Sequence, residues 1–208
     1  MIDGGGLLYK VYWPTKGTVK DLVDGVENYL QKLSTDGDVI IVFDRYKENS
    51  IKSDTRNSRM GSFKRCHQLT IGRELPPRET CFSSCSTKEN LIEIIANEII
   101  TRYQNEQSKH KLIVSSKNDL PIEVNLGVKI QRIDLRSNFE EADHMIQQQV
   151  QSVVIEGIRK SVKVISSDTD VFVLLCSNFD KHNWQSVNLY MDTCRKQQAD
   201  IYQQISRG

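Results

Sequence analysis

Net charge is nearly absent from this chain, a formal +1 over 208 residues. That excludes a global electrostatic attraction to nucleic acid, so any such binding must come from a local patch. No apolar run approaches the roughly 18–20 residues that a bilayer-spanning helix needs, so no membrane partner is expected. The opening Met1-Ile2-Asp3-Gly4-Gly5-Gly6 offers neither a basic region nor an apolar one, which speaks against a secretory signal. Cysteine is sparse and odd in number, five in all, which suits a reducing compartment better than a disulfide scaffold. Repeats and low-complexity tracts are missing too. These absences predict an intracellular protein, nuclear or cytoplasmic. Hydrophobic residues make up 38% of the chain, enough for one medium domain with a real core or at most a small pair.

Periodicity supplies the elements. Met1-Ile2-Asp3 reads as the end of a strand cut at its start, and Leu7–Trp13 as a short apolar helix. Val19, Leu22, Val23, Val26, Tyr29, Leu30 and Leu33 recur at helical spacing. Val39–Phe43 is a continuous apolar, β-rich run, as expected of a buried parallel strand. A helix is predicted over Thr87–Tyr103, with Ser86 or Thr87 as its cap and Glu89 completing a capping box. Lys111–Ser115 reads as a strand, and Pro121–Leu135 as a hairpin around Gly127. A helix follows over Glu140–Arg159, its acidic start matching the helix dipole. Then come strand Val162–Ser166, helix 169–177, strand Val187–Met191 and a polar helix over Arg195–Gly208. Strands alternating with helices predict an α/β domain with a mostly parallel central sheet flanked by helices. Trp13 and Trp184 are expected in core or edge packing.

Residues 45–86 stand apart. They are polar, and Arg45, Lys47, Lys52, Arg56, Arg59, Lys64, Arg65, Arg73 and Arg78 outnumber Glu48, Asp54, Glu74 and Glu79. A long segment without an apolar face is either functional or a solvated loop. Cys66, His67, Cys81 and Cys85 invite a zinc reading, but adjacent Cys-His and the spacing do not match ordinary zinc sites, and free loop thiols fit better. Cys176 belongs to an apolar run. His67, His110, His144 and His182 form no nucleophilic set with a serine or cysteine, and a solvent-facing helix position suits His144 better than a metal-site rim.

The acids carry the chemistry. Asp168-Thr169-Asp170 lies between the apolar runs Val162–Ile165 and Val171–Cys176, at the carboxyl end of a strand where a helix begins. Ligands of open α/β sheets bind at this edge. The plain alternative is a turn in which Asp168 or Asp170 caps the helix. Asp3 and Asp44 also follow strands, so a parallel sheet would bring Asp3, Asp44, Asp168 and Asp170 together. Glu140, Glu141 and Asp143 join if their helix starts over the same edge. Several converging carboxylates without basic partners make a hard-cation site, suited to Mg2+ or Mn2+.

These motifs, Asp3-Gly4-Gly5-Gly6-Leu7-Leu8-Tyr9, Val42-Phe43-Asp44, Glu141-Ala142-Asp143 and Ser166-Ser167-Asp168-Thr169-Asp170, resemble in content and order those of PIN-like nucleases of the flap-endonuclease-like branch. The likeness is greater still to poorly characterised animal PIN-like proteins often found beside mobile elements, and it runs from residue 1 to about 191. It implies a single three-layer PIN-like domain over 1–208, with 45–86 as an arch-like basic insertion and truncation at both ends. It further implies a metal-dependent, structure-selective nuclease that hydrolyses phosphodiester bonds. Asp3, Asp44, Glu141, Asp143, Asp168 and Asp170 would be the catalytic, metal-binding acids. Lys52, Arg56, Arg59, Lys64 and Arg65 would contact nucleic acid, DNA more than RNA.

Two departures qualify the resemblance. Relatives carry a further acid in a Gly-Cys-Asp-like segment, for which Asp192 and Asp200 are the only late candidates here. Arg45 also replaces a glycine that frequently follows Asp44, which would alter the arch entrance. A PIN-like binding or scaffold module without catalysis is therefore the alternative. A third reading compares Asp168-Thr169-Asp170 with the nucleophile loop of haloacid-dehalogenase-like phosphatases, where the first Asp is phosphorylated. That loop normally opens its domain, and no downstream Lys and acidic pair follows it here.

Overall fold

The structure is a computed structural model that describes residues 1–45, 67–106, 108–179, 181 and 184–193, and the backbone of 198–200. The elements run β1 (Ile2–Asp3), α1 (Gly4–Lys10), α2 (Val19–Ser34), β2 (Val39–Val42), α3 (Arg78–Phe82), α4 (Cys85–Glu106), β3 (Leu112–Ser115), β4 (Ile122–Asn125), β5 (Val128–Gln131), α5 (Ala142–Glu156), β6 (Ser161–Ile165), α6 (Thr169–Phe179), β7 (Asn188–Asp192) and β8 (Gln198–Asp200). The strands form one sheet in the order β5-β4-β3-β2-β1-β6-β7-β8. From β3 to β7 every neighbour is parallel, while β4, β5 and β8 run antiparallel at the two edges.

Alternation along β2 builds three layers, because successive side chains leave opposite faces of the pleat. Val39, Ile41 and Phe43 face a core filled by α1, α2 and α4, with Leu7, Leu22, Val26, Leu91 and Ile95. Ile40 and Val42 face the other core, with Met145, Ile146 and Val150 of α5 and Val171 and Leu175 of α6. Trp184 is 1% exposed and belongs to this second core. Cys176 packs at its margin. No described helix is long and apolar enough to cross a membrane.

Local chemistry explains most boundaries. Thr18 caps α2 in a reciprocal capping box with Asp21. Leu126 and Gly127 both take positive φ, at 48° and 77°, giving the two-residue turn whose twist matches a hairpin. Gly157 ends α5 in the left-handed conformation, three residues short of the expected end near Arg159.

Several expectations need correction. The first helix begins at Gly4 rather than Leu7, because Asp3 accepts the amides that open it. The long helix α4 starts at Cys85, two residues early, with the Thr87 amide reaching Ser84 Oγ at 3.4 Å. Thr87 is fully buried and its hydroxyl accepts the His67 amide at 2.9 Å, so the cap is Ser84 rather than Ser86 or Thr87. The polar helix predicted over Arg195–Gly208 is instead a strand over Gln198–Asp200, paired antiparallel to β7; positions 195–197 and 201–208 lie outside the described residues.

The described part of the basic segment is not a loose loop either. Leu69 and Leu75 are buried in the first core, the Leu75 amide donates to Gly17 O at 2.8 Å, and Thr18 and Glu74 form an isolated antiparallel bridge. Cys81 sits fully buried on α3, and its thiol is pushed up to about 11 by burial.

Candidate functional site

The sheet order sets β1 between β2 and β6, all parallel, so their carboxyl ends lie side by side. Asp3 is the last residue of β1 and the N-cap of α1. Its Oδ1 accepts the amides of Gly5 at 2.9 Å and Gly6 at 3.2 Å. Gly4 is required for this turn: a Cβ there would stand 2.2 Å from Phe43 Cδ1, inside the core. The other Asp3 oxygen accepts the Ser166 hydroxyl at 2.9 Å, and Ser166 Oγ in turn accepts the Asp168 amide at 3.1 Å. One buried serine thus links the first acid to the turn that carries the last two.

Asp44 follows β2. Its Oδ1 accepts the Ala142 amide at 2.9 Å, which fixes the start of α5 over the same sheet edge. The Arg45 amide donates to Glu140 O at 2.7 Å and secures the approach. Glu141 and Asp143 thus flank the residue whose amide Asp44 holds. Ligand atoms of Glu141, Asp143 and His144 all lie within 4.8 Å of one another. The Asp143 carboxylate accepts the His144 amide at 2.6 Å and meets His144 Nδ1 at 2.8 Å. His144 stacks on Phe139, with ring centroids 5.1 Å apart.

Asp168 and Asp170 are both exposed. Asp168 Oδ1 accepts the Asp170 amide at 2.9 Å, the bond an N-cap makes at the head of α6. The capping alternative is thus realised by Asp168, through its Oδ1. Among the described residues, no contact ties the Asp170 carboxylate to the remaining acids.

Electrostatics sharpen the picture. Burial pushes the Asp3 carboxyl above its ordinary range; the Gly6 amide and the Ser166 hydroxyl pull it back, and the nearby Asp44 charge pushes it up again. Among the described residues, neither Lys nor Arg pairs with Asp3, Asp44, Asp168 or Asp170. Asp192, at the end of β7, has its Oδ2 3.2 Å from Lys163 Nζ. Asp200 lies on β8 opposite Tyr190, two register positions from the strand end that Asp192 occupies.

Two residues outside the expected ligand set organise the site. Ser166 is 1% exposed and is signalled only by the local Ser-x-Asp pattern. Arg45 is 2% exposed and is no phosphate contact. Its Nη1 donates to Ser137 O at 2.6 Å, its Nε to Ser116 O at 3.0 Å and its Nη2 to Asp119 O at 3.3 Å. The guanidinium braces the loops after β3 and before α5. Lys52, Arg56, Arg59, Lys64, Arg65 and Cys66 lie outside the described residues.

Comparison with known proteins gives no match: no family model, no curated protein and no solved structure matches this chain.

Proposed function

We propose that this chain is a divalent-metal-dependent phosphodiesterase acting on nucleic acid, DNA more than RNA, with Asp3, Asp44, Glu141, Asp143 and Asp168 holding Mg2+ or Mn2+. The observation that carries this reading is the Asp3–Asp44 pair: two carboxylates on adjacent parallel strand ends, one pushed toward protonation by burial and by the other, with no described Lys or Arg to relieve them. Like charges so placed call for a cation or a shared proton. The donors are nearly all carboxylate oxygens, the set a hard cation takes.

When bound, such ions activate water and offset charge on a phosphoryl group in transfer. The chain's own part is orientation. Gly5, Gly6 and Ser166 hold Asp3 in one rotamer, and Ala142 holds Asp44. The caps of Asp44 and Asp168 each engage one carboxylate oxygen, and Asp3 Oδ2, which accepts the Ser166 hydroxyl, keeps a second lone pair. Asp170, exposed one step along α6, stands at the margin of this set and would act through water. The basic residues Lys52, Arg56, Arg59, Lys64 and Arg65 position backbone phosphates in the PIN-like resemblance, a role that sets register rather than reading bases.

The test is cleavage of branched, single-stranded and duplex substrates with Mg2+ or Mn2+, with Asp168→Ala and Asp170→Ala as controls. Metal-dependent cleavage lost in the Asp168 variant supports the reading. A second reading, a PIN-like module that binds without cutting, is favoured by Lys163 on Asp192, which partly neutralises the late acid best placed to complete the set. Binding of Mn2+ and nucleic acid without turnover on any substrate would select it.

A further inference from the structure

At the amino ends of the parallel strands, on the sheet edge opposite the acid set, lies a cavity of about 370 Å3. Its shape follows from strands of unequal reach. β1 pairs Ile2 with Ile41 of β2 and with Ile165 of β6. Met1 continues that ladder: its nitrogen donates to Lys163 O at 2.6 Å, and its carbonyl accepts the Ile165 amide at 2.9 Å. β2 begins at Val39 and β6 at Ser161. Counted back in register, the position before Met1 falls between Val39 and Lys163, and the one before that between Asp38 and Val162. All four of these residues line the cavity. It is therefore a gap one strand wide, about 10 Å across at twice the spacing of neighbouring strands.

The walls alternate as a strand would require. Val39 belongs to the first core and Val162 to the second. Leu33 of α2 packs against the first and Val153 of α5 against the second, and both border the cavity. A side chain beside Val39 thus meets one helical layer, and the next side chain meets the other. Backbone directions agree. The Val39 amide donates to Lys111 O on β3, so the Ile40 amide turns toward the cavity, and the Lys163 amide turns there as that of Ile165 turns to Met1. A small polar ligand fits less well, because Lys111, Arg132, Arg159 and Lys163 at the border are each paired with a carboxylate.

We propose that the cavity is a strand-acceptor slot. Its occupant is an extended segment joined to the Met1 nitrogen, running parallel between β2 and β6, with apolar side chains at the two positions nearest Met1. Main-chain bonds hold such a strand and the two apolar walls select it. The Met1 nitrogen already stands where a ladder amide stands, which favours a joined segment over a separate peptide. The slot acts in packing and stability, needs no metal and does not depend on the phosphodiesterase reading.

The experiment compares the full chain, metal-free, with versions carrying Lys-Val-Val, Lys-Gly-Ser or Lys-Val-Asp joined to Met1. Lys-Val-Val is expected to raise the melting temperature by about 4–8 °C, as burial of two valines implies. It is also expected to slow hydrogen exchange at the Ile40 and Lys163 amides by about tenfold. Lys-Gly-Ser and Lys-Val-Asp are expected to do neither. Residues 1–208 are unaltered in every version, and the chain without an extension supplies the baseline. Equal melting temperatures and equal exchange in all versions overturn the slot. An equal gain from Lys-Gly-Ser overturns its apolar selectivity. If the separate peptide acetyl-Lys-Val-Val-amide protects the two amides as well as the joined one does, the joined occupant is overturned in favour of a partner strand.

Discussion

The Asp44 carboxylate accepts the backbone amide of Ala142 at 2.9 Å, across 98 residues of chain. The bond does two jobs: it satisfies one of the unpaired amides at the head of α5, and it anchors Glu141 and Asp143 beside the strand ends. Asparagine keeps the acceptor oxygen but not the charge, so the two jobs are separable. Asp44→Asn is expected to hold the melting temperature and to lose metal-dependent cleavage by more than the about 10–100-fold that outer partners of a metal site cost. Asp44→Ala should also lose about 1 kcal/mol of stability, the typical value of a cap. Urea midpoints and single-turnover rates on the pair of variants read both effects.

Asp3 should make the metal-free protein pH-dependent. Its folded value is raised, so the folded state holds a proton that the unfolded state releases. Stability is then highest below the ordinary carboxylate value and declines as pH climbs from there through the folded value. Asp3→Asn removes that decline. Metal-free Asp3→Asn is expected to melt higher at pH 7, by about 2–4 °C for each kcal/mol recovered, while losing the gain in melting temperature that Mn2+ gives the unaltered protein. A lower melting temperature without metal would show that Asp3 serves chiefly as the cap of α1.

Ser166 contributes no charge, yet it spans Asp3 and the Asp168 turn. Ser166→Ala is expected to reduce metal-dependent activity about 10–100-fold. The accompanying change should be a weaker apparent Mn2+ affinity, seen in a metal titration of the rate. Full activity at all Mn2+ concentrations would exclude a positioning role.

Arg45 supplies the largest stability prediction. Truncation to Ala leaves the carbonyls of Ser116, Ser137 and Asp119 without their buried donor, a loss of about 3–5 kcal/mol by analogy with broken buried charge contacts. Arg45→Lys should recover little, because an ammonium cannot reproduce the planar fork that reaches three carbonyls. The urea midpoint measures it.

Gly4→Ala tests the turn at the start of α1. The new methyl would overlap the buried Phe43 ring, and overpacking of this kind costs about 1–3 kcal/mol. Phe43→Leu in the same chain should restore part of the loss, as a double-mutant cycle would show.

How much of this could be read from residues alone depended on whether the signal was local. Val39–Phe43 and Val162–Ser166 announce themselves as buried strands, and their carboxyl-terminal acids follow from topology. Sheet order then brings Asp3, Asp44 and Asp168 to one edge. Asp168 and Asp170 carry the same local signal, and only the backbone of the turn shows that Asp168 caps α6 while Asp170 lies within its first turn. The Arg45 brace was illegible because its partners are carbonyls on two distant loops, and carbonyls carry no sequence signature. Ser84 was missed as a cap because Cys85 and Ser86 offered no apolar periodicity to mark where α4 begins. The strand at Gln198–Asp200 is polar and lies at a sheet edge, where pairing with β7 rather than propensity sets the conformation.

The placement of β1 between β2 and β6 has a consequence for biosynthesis. Asp3 leaves the ribosome well before the serine that orients it, which is 163 residues away in the chain. Until β6 emerges, the central strand of the sheet has a neighbour on one side only, and the acids remain scattered along an unfinished nascent chain. The Asp3–Ser166 bond therefore forms only after β6 has been made, long after β1 and β2.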